Sequence, residues 1–136
     1  MVLEAELFPA VEQYYQRKGY SVEREVPMRN KVVDIICQND KEIIAIEVKV
    51  RNWKRALRQA IIYQLCANRT YVALCHRFSG RVKIEFFLKY GVGLIEVNGF
   101  IDIKIESRKN VALNPFYQEA VIQGLERRRL ENENML

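Results

Sequence analysis

The run Ile43 to Val50, Ile-Ile-Ala-Ile-Glu-Val-Lys-Val, limits the fold more than any other part of this chain. Successive side chains of a strand point to opposite faces. Here both parities are apolar: Ile43 and Ala45 on one, Ile44, Ile46, Val48 and Val50 on the other. A strand of that kind needs cover on both sides, which places it inside a sheet with helices on each face. The surrounding pattern supplies those elements. Leu3, Leu7, Val11, Tyr14 and Tyr15 recur at helical spacing over 3–18 and Gly19 follows as a stop. Strands are expected over 21–26, closed by Pro27, and over 32–37, with a turn at Asn39-Asp40. A helix over 53–67 carries Trp53, Leu57, Ala60, Ile61 and Gln64 on one stripe, and a strand follows over 71–75. Residues 80–89 read as a short helix, although Lys83 to Leu88 also reads as a strand. Strands over 92–97 and 100–105 meet at Asn98-Gly99, a hairpin signal, and Asn114-Pro115 opens a last helix. Intermixed strands and helices of this order indicate an α/β protein.

Charge adds a second constraint. The 136 residues carry 22 Lys and Arg against 17 Asp and Glu, a net charge of +5. From Val48 to Ile84 there is no acidic residue, and nine cations fall there: Lys49, Arg51, Lys54, Arg55, Arg58, Arg69, Arg77, Arg81 and Lys83. The rest of the chain is therefore net negative. Charge segregated in this way fits either a polyanionic partner such as nucleic acid or a solvated basic face. No apolar run approaches a membrane span, and the first residues lack the pattern of a signal peptide. Cys37, Cys66 and Cys75 are odd in number, form no CxxC pair and lie in apolar segments, so they read as reduced core cysteines of a cytoplasmic protein. A single histidine, His76, excludes mechanisms that need two and reads as a surface or hydrogen-bonded residue.

Three ionisable residues interrupt strands that are otherwise apolar on both faces. Asp34 lies in Val-Val-Asp-Ile-Ile-Cys, and Glu47 and Lys49 lie in the run already described. A buried unpaired charge costs several kcal/mol, so these groups must be paired, bound to a metal or open to a cleft. A loop of two residues at Asn39-Asp40, or of four from Gln38 to Lys41, sets Ile36 opposite Ile43, Asp34 opposite Ala45 and Val32 opposite Glu47. Asp34 and Glu47 then become diagonal neighbours on one face, Cα atoms ~7–8 Å apart, with Lys49 on the same face. A three-residue loop would move Asp34 away. Two converging carboxylates beside a lysine suit a hard divalent cation such as Mg²⁺, which prefers oxygen donors and keeps several waters. They equally suit a buried salt-bridge triad. Glu4, at helical spacing before Leu7 and Val11, reads either as a further acid of that cleft or as a charge favoured by the helix dipole.

Asp34 followed after 12 residues by Glu47-Val48-Lys49, within the order helix, three strands, helix, strand, resembles the PD-(D/E)XK nuclease superfamily. Gln59 and Tyr63 resemble the Q-x-x-x-Y element of its RecB-type branch, and Glu4 sits where many members, including archaeal Holliday-junction resolvases, carry an extra acid. Val33 precedes Asp34 where the motif has proline. The resemblance covers about residues 3–105. It implies a restriction-endonuclease-like αβββαβ core with a central mixed sheet flanked by helices, plus a C-terminal hairpin and helix. The core is expected over residues 1–106; residues 107–136, outside the resemblance, are expected to form a helical extension packed on the core or at a dimer interface. The resemblance implies Mg²⁺- or Mn²⁺-dependent hydrolysis of phosphodiester bonds in DNA, with RNA open as a substrate. Asp34, Glu47, the Val48 carbonyl and Glu4 would ligate the metal, and Lys49 would position the attacking water. Gln59 and Tyr63 would steady Lys49 or the nucleic-acid backbone, and Arg51, Lys54, Arg55 and Arg58 would contact phosphates. Arg55 lies toward the Gln59 side of its helix, Lys54 and Arg58 on the other side, and Trp53 reads as packing more than as a stacking platform. The alternative reading is a non-catalytic nucleic-acid-binding module on the same fold, and a homodimer is one arrangement open to it.

Overall fold

The computed structural model describes residues 2–134. Six strands form one sheet in sequence order: β1 (Ser21–Met28), β2 (Lys31–Gln38), β3 (Ile43–Lys49), β4 (Arg69–Cys75), β5 (Gly93–Val97) and β6 (Ile101–Ile105). The sheet is mixed: β3, β4 and β5 run parallel, and the other neighbours pair antiparallel. The helices are α1 (Phe8–Arg17), α2 (Trp53–Tyr63), the single turn α3 (His76–Ser79), α4 (Ile84–Tyr90) and α5 (Pro115–Asn134). This is the α/β architecture expected, with β3 buried on both faces. Ile44, Ile46 and Val48 pack toward α1 with Leu7, Val11 and Tyr15. Ile43 and Ala45 pack toward the end of α2 and toward α5, with Tyr63 and Val121. Ala56, Leu57 and Ala60 of α2 join Phe87 of α4 over β4. Cys37, Cys66 and Cys75 are all buried and unbridged. No helix among the described residues is long and apolar enough to cross a membrane.

Four local expectations are corrected. The first helix does not span 3–18. A 3-10 turn (Glu4–Glu6) precedes α1, because Pro9 is tolerated only in a first helical turn. Strand β1 continues through Pro27 to Met28; it is an edge strand, where a residue without an N–H removes no ladder bond. Helix α2 ends at Tyr63, and the chain turns through Gln64 to Ala67 on bonds to the Ile61, Ile62 and Tyr63 carbonyls. The short helix expected over 80–89 begins only at Ile84 and runs to Tyr90, where Gly91, at φ 72°, caps it.

The loop that sets the register also differs. It comprises Asn39 to Glu42, closed by the Asn39 N–H donating to the Glu42 carbonyl and by the Lys41 and Glu42 N–H groups donating to Asn39 Oδ1. Ile36 consequently pairs with Ala45, and Ile35 with Ile46. The shift from the expected pairing is two residues, so every side chain keeps its face. Continued by one pair, this register puts Asp34 directly opposite Glu47 instead of diagonal to it.

Candidate functional site

Ladder pairing between β2 and β3 stops at Ile35 and Ile46. Beyond it the Asp34 side chain takes over the role of a neighbouring strand: the Val48 N–H donates to Asp34 Oδ2 at 2.8 Å. In a strand the N–H and C=O of one residue point the same way, so the Val48 carbonyl is directed to the same side. Glu47, only 6% exposed, meets Asp34 within hydrogen-bond reach. The Tyr63 hydroxyl lies 2.6 Å from Glu47 Oε1, to which it donates, and 3.3 Å from the Val32 carbonyl. Tyr63 itself is fully buried, so it fixes one carboxylate oxygen from the α2 side. Pulled toward Glu47, it turns the buried stripe of α2 to Ala56, Leu57, Ala60 and Tyr63, leaving Ile61 and Gln64 at the margin.

Burial raises the pKa of both acids. Glu47 is pushed up to about 8, first by burial and then by the Asp34 charge, against the opposing bond from Tyr63. Asp34 is also raised by burial, and the Val48 N–H, Glu47 and Lys49 oppose the shift. The two carboxyls therefore resist ionising together. Burial likewise holds the Tyr63 phenol protonated. Lys49, half-buried, reaches outward, and its ammonium forms an ion pair with Glu4 Oε1 at 3.3 Å. Glu4 stands on the exposed 3-10 turn and not on the buried stripe of α1. It faces the site through Lys49, and its charge opposes ionisation of Asp34.

Asp34, Glu47, Val48, Lys49, Tyr63 and Glu4 are thus brought together at the carboxyl end of β3. Gln59 lies half-buried one turn before Tyr63 and makes no side-chain hydrogen bond among the described residues. No group of three or more His, Cys, Asp or Glu side chains is gathered among the described residues. Among the described residues two carboxyls converge, and Glu4 is paired with the Lys49 ammonium. The donors present are hard oxygens on a pair that repels itself when ionised. That is the chemistry of a Mg²⁺ or Mn²⁺ site with few protein ligands, so the residues fit such an ion.

The cations flank this end of the sheet. Asn52 caps α2 by accepting from the Arg55 N–H, which places the exposed Lys54, Arg55 and Arg58 on the first turns. Arg51 and Arg81 stack on the same Phe78 ring of α3, at 5.5 and 5.1 Å. Lys54 and Arg58 share a groove with Lys83, the residue before α4, and with Phe86 of α4. Phe78 and Phe86 carry no expectation from the sequence; the signal available was Phe78 between Arg77 and Arg81, and Phe86 three residues after Lys83. His76 is exposed and its Nδ1 lies 3.3 Å from the Val97 carbonyl.

No protein-family model and no curated protein matches this sequence. Among solved structures, a protein of unknown function from Silicibacter pomeroyi is similar over 98% of this chain and 92% of its own, with a TM-score of 0.74 at 20% identity. SfsA of Pyrococcus furiosus in complex with Ca²⁺ is similar over 79% of this chain and 60% of its own, with a TM-score of 0.40 at 14% identity.

Proposed function

We propose that this chain is a metal-dependent nuclease of the PD-(D/E)XK kind, on a restriction-endonuclease-like core, that hydrolyses phosphodiester bonds in DNA. The observation that carries the reading is the buried Asp34–Glu47 pair beside Lys49, at a strand end rimmed by cations. A fold that needed only packing there would do better with apolar residues, since burying a carboxylate pair costs stability. Asp34, Glu47 and the Val48 carbonyl would hold Mg²⁺ or Mn²⁺. Such a cation polarises a phosphoryl oxygen and lowers the pKa of a bound water. Tyr63 orients Glu47 by its hydrogen bond, and Lys49 offsets charge developing on the phosphate. Glu4 holds the Lys49 ammonium by its ion pair at 3.3 Å. Arg51, Lys54, Arg55 and Arg58 would bind flanking phosphates.

The test is cleavage of single-stranded, duplex and four-way-junction DNA, with RNA as a further arm, in Mg²⁺ or Mn²⁺. Glu47→Ala and Lys49→Ala are each expected to lower the rate about 10²-fold or more while the protein still folds. Cleavage that survives both substitutions rejects the reading. Salt-sensitive binding without cleavage under any metal would favour the non-catalytic binding module, the reading to which the gathering of only two carboxyls lends support.

A further inference from the structure

The groove between α2 and α4 has a chemistry of its own. Trp53, Lys54, Leu57, Arg58, Lys83 and Phe86 line an opening of about 320 Å³. The indole and the Phe86 ring lie 6.4 Å apart with planes tilted by 32°. Behind them the fully buried Phe87 packs on the indole at 6.0 Å, so the aromatic wall is backed by core. Phe86 is nevertheless 39% exposed, a large apolar ring facing solvent beside three cations. The Lys54 ammonium is 5.9 Å from the indole ring, and no acidic residue lines the groove.

Aromatic faces set among cations match a chain of alternating flat bases and phosphates. A duplex hides its base faces in its own stack, whereas a single strand presents them. We infer that the groove formed by Trp53, Phe86, Lys54, Arg58 and Lys83 binds a single nucleic-acid strand, bases against the two rings and phosphates on the three cations. Trp53 therefore acts as a stacking surface as well as a packed side chain. The inference rests on reading the chain as one that acts on nucleic acid, and it names the strand form that the same site receives. Trp53 follows Glu47 by six positions, so the groove opens within about 20 Å of chain from the carboxylates. A strand lying in it reaches the Asp34–Glu47 pair within a few nucleotides.

Trp53 is the chain's single tryptophan, so its fluorescence reports on this groove alone. The full chain is titrated in EDTA, where no cleavage occurs, with a 15-nucleotide oligo-dT, a blunt duplex of equal length and heparin. Oligo-dT is expected to quench the emission to saturation. The duplex should need at least ten times the concentration, and heparin should bind without quenching. Phe86→Ala should weaken the oligo-dT complex about 5- to 100-fold, the loss of one stacked base. Lys83→Ala should make the slope of log affinity against log salt shallower by about 0.7. Equal quenching by the duplex, no quenching by oligo-dT, or unchanged affinity in Phe86→Ala would each overturn the inference. So would self-association of the chain that protects Trp53 and is abolished by Phe86→Ala. Quenching by oligo-dT with no cleavage in any metal leaves the groove standing and removes the nuclease reading; cleavage without quenching does the reverse.

Discussion

Glu47 sets stability against function in a way that can be measured. Its pKa rises from 4.5 to about 8 on folding, chiefly through burial, so the folded state favours the protonated acid. The associated stability is complete below about pH 4.5 and is lost as the pH climbs through about 8; Asp34, also raised, acts in the same direction. Without metal, the free energy of unfolding is expected to drop by a few kcal/mol, on the order of magnitude of such shifts, between pH 5 and pH 8.5. Glu47→Gln keeps an acceptor for the Tyr63 hydroxyl and removes the charge. Urea unfolding of that variant should show a weaker pH dependence, the part due to Asp34 remaining, and, at pH 8.5, greater stability than the parent. A parent protein whose stability is level across this range would remove the argument. Tyr63→Phe deletes the bond at 2.6 Å while keeping the packing, and should lower cleavage about tenfold with a change in unfolding free energy of roughly 1 kcal/mol. Only part of this was legible in the sequence. Asp34, Glu47 and Lys49 stand out as charges in apolar strands. That Tyr63 donates to Glu47, and that Glu4 pairs with Lys49, depends on where α2 and the 3-10 turn end, which side-chain contacts decide.

At the scale of elements, local signals placed the strands well wherever both faces are buried, and less well at edges and ends. β3 is bounded within a residue or so because eight apolar-dominated positions leave little choice. β1 outruns its proline because an edge strand tolerates what a central one does not. The register was misjudged by two residues because Asn39, and not Asp40, organises the turn with its side chain. A shift of two preserves the faces, so Asp34 and Glu47 still share one. A tighter constraint sits at Gly93 of β5, which faces Tyr71 of β4. A Cβ there would collide with the Tyr71 ring and with the Ile105 backbone carbonyl. The Tyr71 hydroxyl, which donates to Glu106 Oε2 at 2.8 Å, ties that ring to the residue following β6. Neither the ring, 3% exposed, nor the backbone of β6 can give way cheaply. Gly93→Ala should therefore cost about 1–3 kcal/mol, the range for overpacking a core, read as a lower midpoint in thermal or urea unfolding. A wild-type midpoint would show that the Tyr71 ring moves aside freely.

For the molecule as a whole, the open question is what the last helix contributes. α5 lies against β1, and its Val121, fully buried, closes the cluster of Val26, Met28, Val33, Ile36 and Ala45. Further along, Arg128 donates to the Arg24 and Glu25 carbonyls at 2.6 Å each, and approaches Glu23 at 3.7 Å. Glu25 has φ 53°, a left-handed conformation that a glutamate adopts only at some cost, and the guanidinium holds the carbonyls on either side of it. α5 therefore covers a face of the sheet that is apolar without it, and it braces an irregular edge. The same cluster contains Tyr63, the residue that positions Glu47. Removing residues 111–136 would expose Val26, Met28 and Val33 and would loosen Tyr63 along with them. The truncated chain is expected to unfold at lower urea, to aggregate through the uncovered apolar face, and to lose cleavage even where it remains folded. Val121→Ala separates the two roles. It should cost about 1–3 kcal/mol through the cavity it leaves, while the Arg128 brace and the site stay in place. Mg²⁺ should then raise the thermal midpoint of Val121→Ala as much as that of the parent, because an ion bound to the folded state stabilises it by linkage. It should leave the Glu47→Gln midpoint where it is. A Mg²⁺ shift equal in all three proteins would place the ion elsewhere than at Asp34 and Glu47.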